Sequence, residues 1–381
     1  MKNLLITGGC GFIGSNFIRY LLKEPSFSGR IVNVDKLTYA GNLESLEDIA
    51  TEFGKKRGVK ERYIFKKGDI CNLTEMEQIF KEYEIDSVCH FAAESHVDRS
   101  IASPEVFIDT NIKGTFNLLE CARRQYAKLE YAEAEEGCSR KNRKEFILFH
   151  HISTDEVYGT LGPTGYFTEN TPYSPNSPYS ASKASSDHLV RAYHETYGLP
   201  VTISNCSNNY GPFQFPEKLI PLMILNAIDG KELPIYGDGK NIRDWLYVRD
   251  HCTAIWLIMQ RGKRGRTYNI GGGYEIENRA IVDKICSIVD QSGRAPRGFV
   301  SSNELIRFVK DRPGHDFRYA IDCTRLKNEL GWEPQESFDT GISKTVKWYL
   351  ENMQWVERIK SGEYRNWIES HYQNQISASH T

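Results

Sequence analysis

The chain has no apolar run approaching the roughly 18 residues that a membrane-spanning helix needs, so its 381 residues predict no such span. It also has no excess of either charge, with 48 Lys and Arg against 50 Asp and Glu and a net charge of −2. The basic residues form no arm or long stripe, which argues against nucleic acid or a membrane surface as partner. The nine cysteines, at positions 10, 71, 89, 121, 138, 206, 252, 286 and 323, are odd in number and scattered. They form no CxxC pair and no Cys/His ligand spacing, so neither a disulfide framework nor a metal site is expected. Reduced thiols, and a first strand with no charged and apolar leader ahead of it, predict a cytoplasmic chain. No repeat of solenoid period is present. With 40% hydrophobic residues at this length, one large domain and one smaller are expected.

What the chain does have begins at its first strand. Lys2-Asn-Leu-Leu-Ile-Thr runs into Gly8-Gly-Cys-Gly11-Phe12-Ile13-Gly14 and then an amphipathic pattern. Glycines at 8, 11 and 14 allow a tight turn, close approach of a pyrophosphate to backbone N–H groups, and packing of helix on strand. A second strand, Arg30 to Asp35, ends in an acid roughly 20 residues further on, where a ribose 2′-hydroxyl needs an acceptor. That acid favours NAD over NADP.

Short apolar strands at Leu4–Thr7, Ile31–Val34, Tyr63–Lys66, Ser87–Phe91, Phe146–Ser153 and Val201–Asn205 alternate with helical patterns. The alternation predicts an α/β fold built on a Rossmann-type, doubly wound parallel sheet, with its ligands at the carboxyl ends of the strands. After residue 206 the composition shifts to Pro- and Gly-rich loops with short helices, which suits a smaller α/β substrate domain over 207–381. Residues 1–206 form the predicted cofactor domain, with later returns to it near 240–275. The charged stretch Tyr126–Lys144 reads as a solvated insertion after a helix.

Two patterns carry chemistry. Tyr179 and Lys183 stand at i and i+4 on one helical face, so the phenol could act as an alcohol's base with the ammonium lowering its pKa. Ahead of them, Thr154-Asp155-Glu156 places two adjacent carboxyls that could serve as separate acid and base. In the second half, Arg243 and Arg312 offer guanidinium forks for phosphate and Tyr236 a flat face for a base.

Together these residues resemble the extended short-chain dehydrogenase/reductase superfamily and, within it, the dTDP-glucose 4,6-dehydratases. The resemblance runs through Ala92-Ala-Glu-Ser-His-Val-Asp-Arg-Ser100, His151-Ile-Ser-Thr-Asp-Glu-Val-Tyr-Gly159, the segment Ser177 to Arg191, Cys206-Ser-Asn-Asn-Tyr-Gly-Pro212, Phe215-Pro-Glu-Lys-Leu-Ile-Pro221, Arg243-Asp-Trp-Leu-Tyr-Val248 and Asp311-Arg-Pro-Gly-His-Asp316. It implies an NAD-dependent lyase that turns dTDP-glucose into its 4-keto-6-deoxy derivative, a step of deoxysugar synthesis such as that of rhamnose. Tyr179, tuned by Lys183, would take the proton of the C4 hydroxyl as C4 is oxidised, Thr154 would hold the C4 oxygen, Glu156 would take the C5 proton, and Asp155, kept protonated near neutral pH by burial or the charge of Glu156, would protonate the C6 hydroxyl. The resemblance also implies that Gly8, Gly11, Phe12, Ile13 and Gly14, then Asp35, Lys36, Thr38, Asp69 and Ile70, and finally Ala92, Ala93, Thr110, Tyr179, Lys183 and Asn209 hold NAD. The nucleotide sugar would contact Ser95, Thr154, Asn208, Lys218, Leu219, Pro234, Tyr236, Arg243, Asn269, Arg312 and His315. A homodimer paired through the YxxxK helix and the helix at about 104–126 is implied as well.

The same chemistry on UDP-glucose differs by one methyl group, worth only about 1–3 kcal/mol in a pocket. A 4-epimerase of this superfamily would have no use for both acids, and a non-catalytic NAD sensor would not need the whole set. Arg249 stands where many such relatives carry an acid.

Overall fold

The computed structural model describes residues 1–58, 60–134, 146–294, 298, 300–311 and 313–360, with side chains omitted over 127–134. Seven strands form the central sheet: β1 (Asn3–Thr7), β2 (Arg30–Asp35), β3 (Tyr63–Lys67), β4 (Ser87–His90), β5 (Leu148–Thr154), β6 (Val201–Cys206) and, after three strands of other sheets, β10 (Thr267–Ile270). Those three are β7 (Asn208–Tyr210), β8 (Leu233–Tyr236) and β9 (Ile242–Tyr247); β11 (Glu275–Glu277) and β12 (Ile306–Val309) come last. The central order is β10-β6-β5-β4-β1-β2-β3, and all of its pairings are parallel. The chain reverses direction across the sheet between β1 and β4, the place where such sheets open a crevice.

β5 is buried along its whole length, as is β6, because helices cover both faces of the sheet. One core gathers around Leu4, Ile6, Phe17, Ile18, Ile255 and Tyr268 on one face. The opposite face packs Val32, Val88, Leu118, Leu119, Phe149 and Val201. A separate core lies beyond the strand ends, built by the helices Leu219–Asp229, Asn278–Gln291 and Phe338–Glu351. Two small sheets stand beside it, β11-β9-β7 and β12-β8.

Two elements differ from the sequence expectation. The helix read as about 104–126 is a short α turn at Glu105–Phe107, a π turn at Ile108–Gly114 and an α-helix Thr115–Ala134. The stretch expected to be a solvated insertion from Tyr126 is therefore helical as far as Ala134, and residues 135–145 lie outside the described residues. Its Ala, Lys, Leu and Glu content is as favourable to a helix as to a solvated loop. Among the described residues, no helix is long and apolar enough to cross a membrane.

Candidate active site

The carboxyl ends of the strands open on a cavity of about 310 Å³. On its floor, the turn after β1 holds Gly8 at φ +70°, where a Cβ would lie 2.6 Å from the Ala92 backbone. A Cβ on Gly14 would lie 2.4 Å from the Gly8 carbonyl, so the helix Phe12–Lys23 sits close under the turn. No side chain caps that helix, which leaves its first N–H groups to the cavity. Asp35, at the end of β2, is held by the backbone N–H groups of Cys10 and Leu37 at 2.9 and 2.8 Å. Lys36 pairs with Asp69 at 2.8 Å. A glycine cradle, an open helix N-terminus and an anchored strand-end acid fit a dinucleotide. All sixteen residues expected around NAD line this one cavity: the turn residues Gly8, Gly11, Phe12, Ile13 and Gly14, then Asp35, Lys36, Thr38, Asp69 and Ile70, then Ala92, Ala93, Thr110, Tyr179, Lys183 and Asn209.

A second cavity adjoins the first, and Ser95, Glu156, Asn208, Glu217 and Lys218 line both. It extends to Leu219, Pro234, Tyr236, Arg243 and His315, all expected around the nucleotide sugar. The Arg243 guanidinium donates to the carbonyls of Ile242, Asp316 and Phe317 and lies 4.3 Å from the Tyr319 ring, so it is fixed by its own chain. His315 is bonded to Asp311 at 2.6 Å and meets the Tyr236 ring edge-on.

Two expected substrate residues do not join them. Asn269 is fully buried in β10 and lines neither cavity; its side chain accepts from the Tyr158 hydroxyl and donates to the Phe167 carbonyl. That side chain ties an outer loop to the sheet. Arg312 lies outside the described residues.

At the junction of the two cavities stand Thr154, Asp155, Glu156, Tyr179 and Lys183. Thr154 closes β5 and caps the turn Asp155–Tyr158, its Oγ1 accepting from the Glu156 N–H at 3.3 Å and donating to Asp155 Oδ1 at 3.4 Å. Asp155 is 1% exposed and its Oδ2 has no hydrogen-bond partner. Burial first, then the charges of Glu156 and Asp244, push its carboxyl well above the usual range, against the pull of Arg243. Such a group keeps its proton to higher pH than an ordinary carboxyl.

Tyr179 and Lys183 lie on the helix Pro178–Tyr197, which starts at a reciprocal cap between Ser177 and Ser180. The expected lowering of the Tyr179 pKa is not what the structure shows. Burial and the nearby Glu156 push the phenol well above its usual value, and only a hydrogen bond with Thr154 works the other way. Lys183 turns its Nζ to the Ile152 carbonyl at 2.7 Å, and burial lowers its pKa to about 8.

Sequence reading passed over three buried groups here. Glu217 pairs with Arg99 at 3.2 Å, and its pKa is pushed up to about 7 by burial, offset by Lys218 and Arg99. It sits beside the expected Lys218, and its place in Phe215-Pro-Glu-Lys218 was the available signal. Asp187 stands four residues beyond Lys183 on the same helix and accepts from Ser153 and Tyr173 at 2.8 and 2.9 Å. Asp98 accepts from the Tyr236 hydroxyl at 3.4 Å inside the second cavity.

Known proteins carry the same framework. The family model described as GDP-mannose 4,6 dehydratase matches residues 5–345. The dTDP-glucose 4,6-dehydratase of Salmonella typhimurium is 53% identical, over 98% of this chain and 99% of its own length. The crystal structure of DesIV, a dTDP-glucose 4,6-dehydratase from Streptomyces venezuelae with NAD and TYD bound, superposes with a TM-score of 0.81 at 43% identity, over 94% of this chain and 100% of that one. UDP-glucose 4-epimerase from Thermotoga maritima superposes with a TM-score of 0.75 at 26% identity, over 92% of this chain and 99% of that one.

Proposed function

The chain belongs to the GDP-mannose 4,6 dehydratase family and, within it, to the dTDP-glucose 4,6-dehydratases, and from that premise we propose how its residues remove water from dTDP-glucose. The enzyme is an NAD-dependent lyase whose product is the 4-keto-6-deoxy sugar nucleotide. The observation that carries the residue assignment is the pair of adjacent acids in unlike surroundings, Asp155 buried and Glu156 facing both cavities. When bound, NAD supplies the hydride acceptor for C4 and the hydride donor for C6.

Tyr179 takes the proton of the C4 hydroxyl, while Thr154 hydrogen-bonds that oxygen. The C4 ketone acidifies C5, and Glu156 removes the C5 proton. Asp155, protonated, gives its proton to the C6 hydroxyl, which leaves as water. Lys183 holds positive charge one helical turn from the phenol and steadies its deprotonated form. Glu156→Gln keeps the side chain's size and removes the base, so loss of water from dTDP-glucose should fall by about 10²–10⁴-fold by mass spectrometry. Unchanged turnover in that variant would refute the assignment. Running UDP-glucose in parallel tests selectivity for the base.

We also divide the chain into a cofactor domain over 1–206, with returns near 240–275, and a mainly nucleotide-sugar domain over 207–381. The enzyme is proposed to work as a cytoplasmic homodimer, paired through the helices Thr115–Ala134 and Pro178–Tyr197. Support for the pairing comes from Ile101, Val106, Ile108 and Phe116, which are each 41–50% exposed along the first of these helices and the segment before it. Support for the compartment comes from the eight cysteines among the described residues, all of them free.

A further inference from the structure

Asn209 stands in the middle of β7 and lines the first cavity, where it is read as a residue that holds NAD. A side-chain amide can be set in two ways related by a half turn, and the two present opposite polarity to a ligand. Two neighbours choose between them. The Ser207 carbonyl, which can only accept, lies 2.9 Å from Nδ2, and Nδ1 of His251 lies 2.8 Å from Oδ1. The reversed amide would set its oxygen against the Ser207 oxygen. Nδ2 therefore donates to Ser207, Oδ1 accepts from His251, and the hydrogen of the neutral ring sits on Nδ1. One N–H and one lone pair of the amide are left for the cavity.

Packing alone does not account for a histidine at position 251. It belongs to the helix Val248–Arg261, is 0% exposed and lines neither cavity. Among the described residues its Nε2 has no hydrogen-bond partner. An apolar side chain of similar size would fill the same space without the cost of a bare buried nitrogen. The bond to Asn209 is what the ring offers in return, and it is a lasting one, because burial lowers the ring's pKa to about 3 and keeps it neutral.

We propose that His251 is a positioning residue for the cofactor, fixing which polarity the Asn209 amide presents to NAD. It touches no ligand itself and acts through Asn209. This inference rests on the reading of Asn209 as a cofactor residue.

The test is the release of NAD from the holoenzyme, loaded with labelled NAD and chased with an excess of unlabelled NAD. His251→Phe keeps a buried ring and removes the donor, Asn209→Ala removes the amide, and a double variant carries both changes. Should the larger Phe not fold, His251→Leu removes the donor equally. Each single variant should release NAD roughly tenfold faster, the scale of one lost hydrogen bond, and the double variant no faster than Asn209→Ala alone. His251→Asn, whose Nδ2 can stand where the ring Nδ1 stood, should release NAD at close to the rate of the unaltered protein, even though the void it leaves lowers the urea unfolding midpoint. A purely structural role for the ring predicts the opposite order, with the Phe variant holding NAD better than the Asn variant. That order, or effects of the two single variants that multiply in the double, overturns the proposal. Unchanged release from Asn209→Ala would instead overturn the reading of Asn209 on which it rests.

Discussion

Asp187 sits one helical turn beyond Lys183, so Tyr179, Lys183 and Asp187 occupy one face of their helix at steps of four. The His151 ring lies between the last two, 3.4 Å from Nζ and 3.3 Å from Oδ1. Burial pulls the Lys183 ammonium down to about 8, and the Asp187 charge is the larger of the effects opposing it. Above pH 8 the ammonium is lost, and with it the support for the phenolate, so kcat should fall on that alkaline side. Asp187→Asn removes the opposing charge, the Lys183 pKa drops further, and the alkaline limb should move to lower pH by roughly one unit, or ~1.4 kcal/mol. Profiles of kcat against pH that superimpose would show Asp187 to be structural only. The same neighbourhood shows what residue types alone could disclose. The i, i+4 spacing placed Tyr179 and Lys183 on one face, and adjacency offered Asp155 and Glu156 as separate acid and base, while the family resemblance alone implied which was which. Spacing could not say that Nζ would turn to the Ile152 carbonyl of β5, nor that the Asn269 side chain would bond Tyr158 and Phe167, because both contacts join segments distant in sequence.

At the scale of elements, the π turn Ile108–Gly114 joins the first cavity to the helix that carries Tyr179. It presents Thr110 to the NAD cavity and turns Asn111 inward. The Asn111 side chain accepts from the Glu94 N–H at 2.8 Å and donates to the Glu94 carbonyl at 3.0 Å and to Ser182 Oγ at 2.8 Å. One amide thus clamps the loop after β4 to the helix that carries Tyr179. Asn111→Ala leaves part-buried backbone groups of Glu94 and the buried Ser182 hydroxyl without this partner, so stability should fall by roughly 1–2 kcal/mol, read from the urea unfolding midpoint at constant slope. A midpoint within error of the unaltered protein would mean that the clamp is dispensable. Strands were the easiest elements to read, because a parallel sheet covered on both faces writes itself as short apolar runs. The π turn was not legible, since one extra residue in a helical turn leaves the apolar spacing nearly intact. The helical run to Ala134 was hidden by composition, because its charged residues suit a solvated loop equally well.

At the scale of the whole molecule, the proposed reaction site lies where the two cavities share Glu156, Asn208 and Lys218, between the sheet's cores and the separate core beyond the strand ends. The walls of the two cavities come from segments distant in sequence, and the π turn gives Thr110 to the first of them. The exposed Val106 and Ile108 flank or begin that same turn, and Phe116 follows it directly. In the proposed dimer the partner covers these side chains, so pairing should steady Thr110 against the cofactor as well as bury apolar surface. Replacing Ile108 and Phe116 together by Arg places two charges in the pairing face, where each would lose its water on association. Sedimentation should then show the mass of one chain in place of two. NAD affinity should weaken by roughly tenfold, about 1.4 kcal/mol, as the π turn loses its support. A double variant that still sediments as a dimer would move the interface elsewhere on the molecule. A clean monomer with unchanged NAD affinity would show that each site stands without its partner.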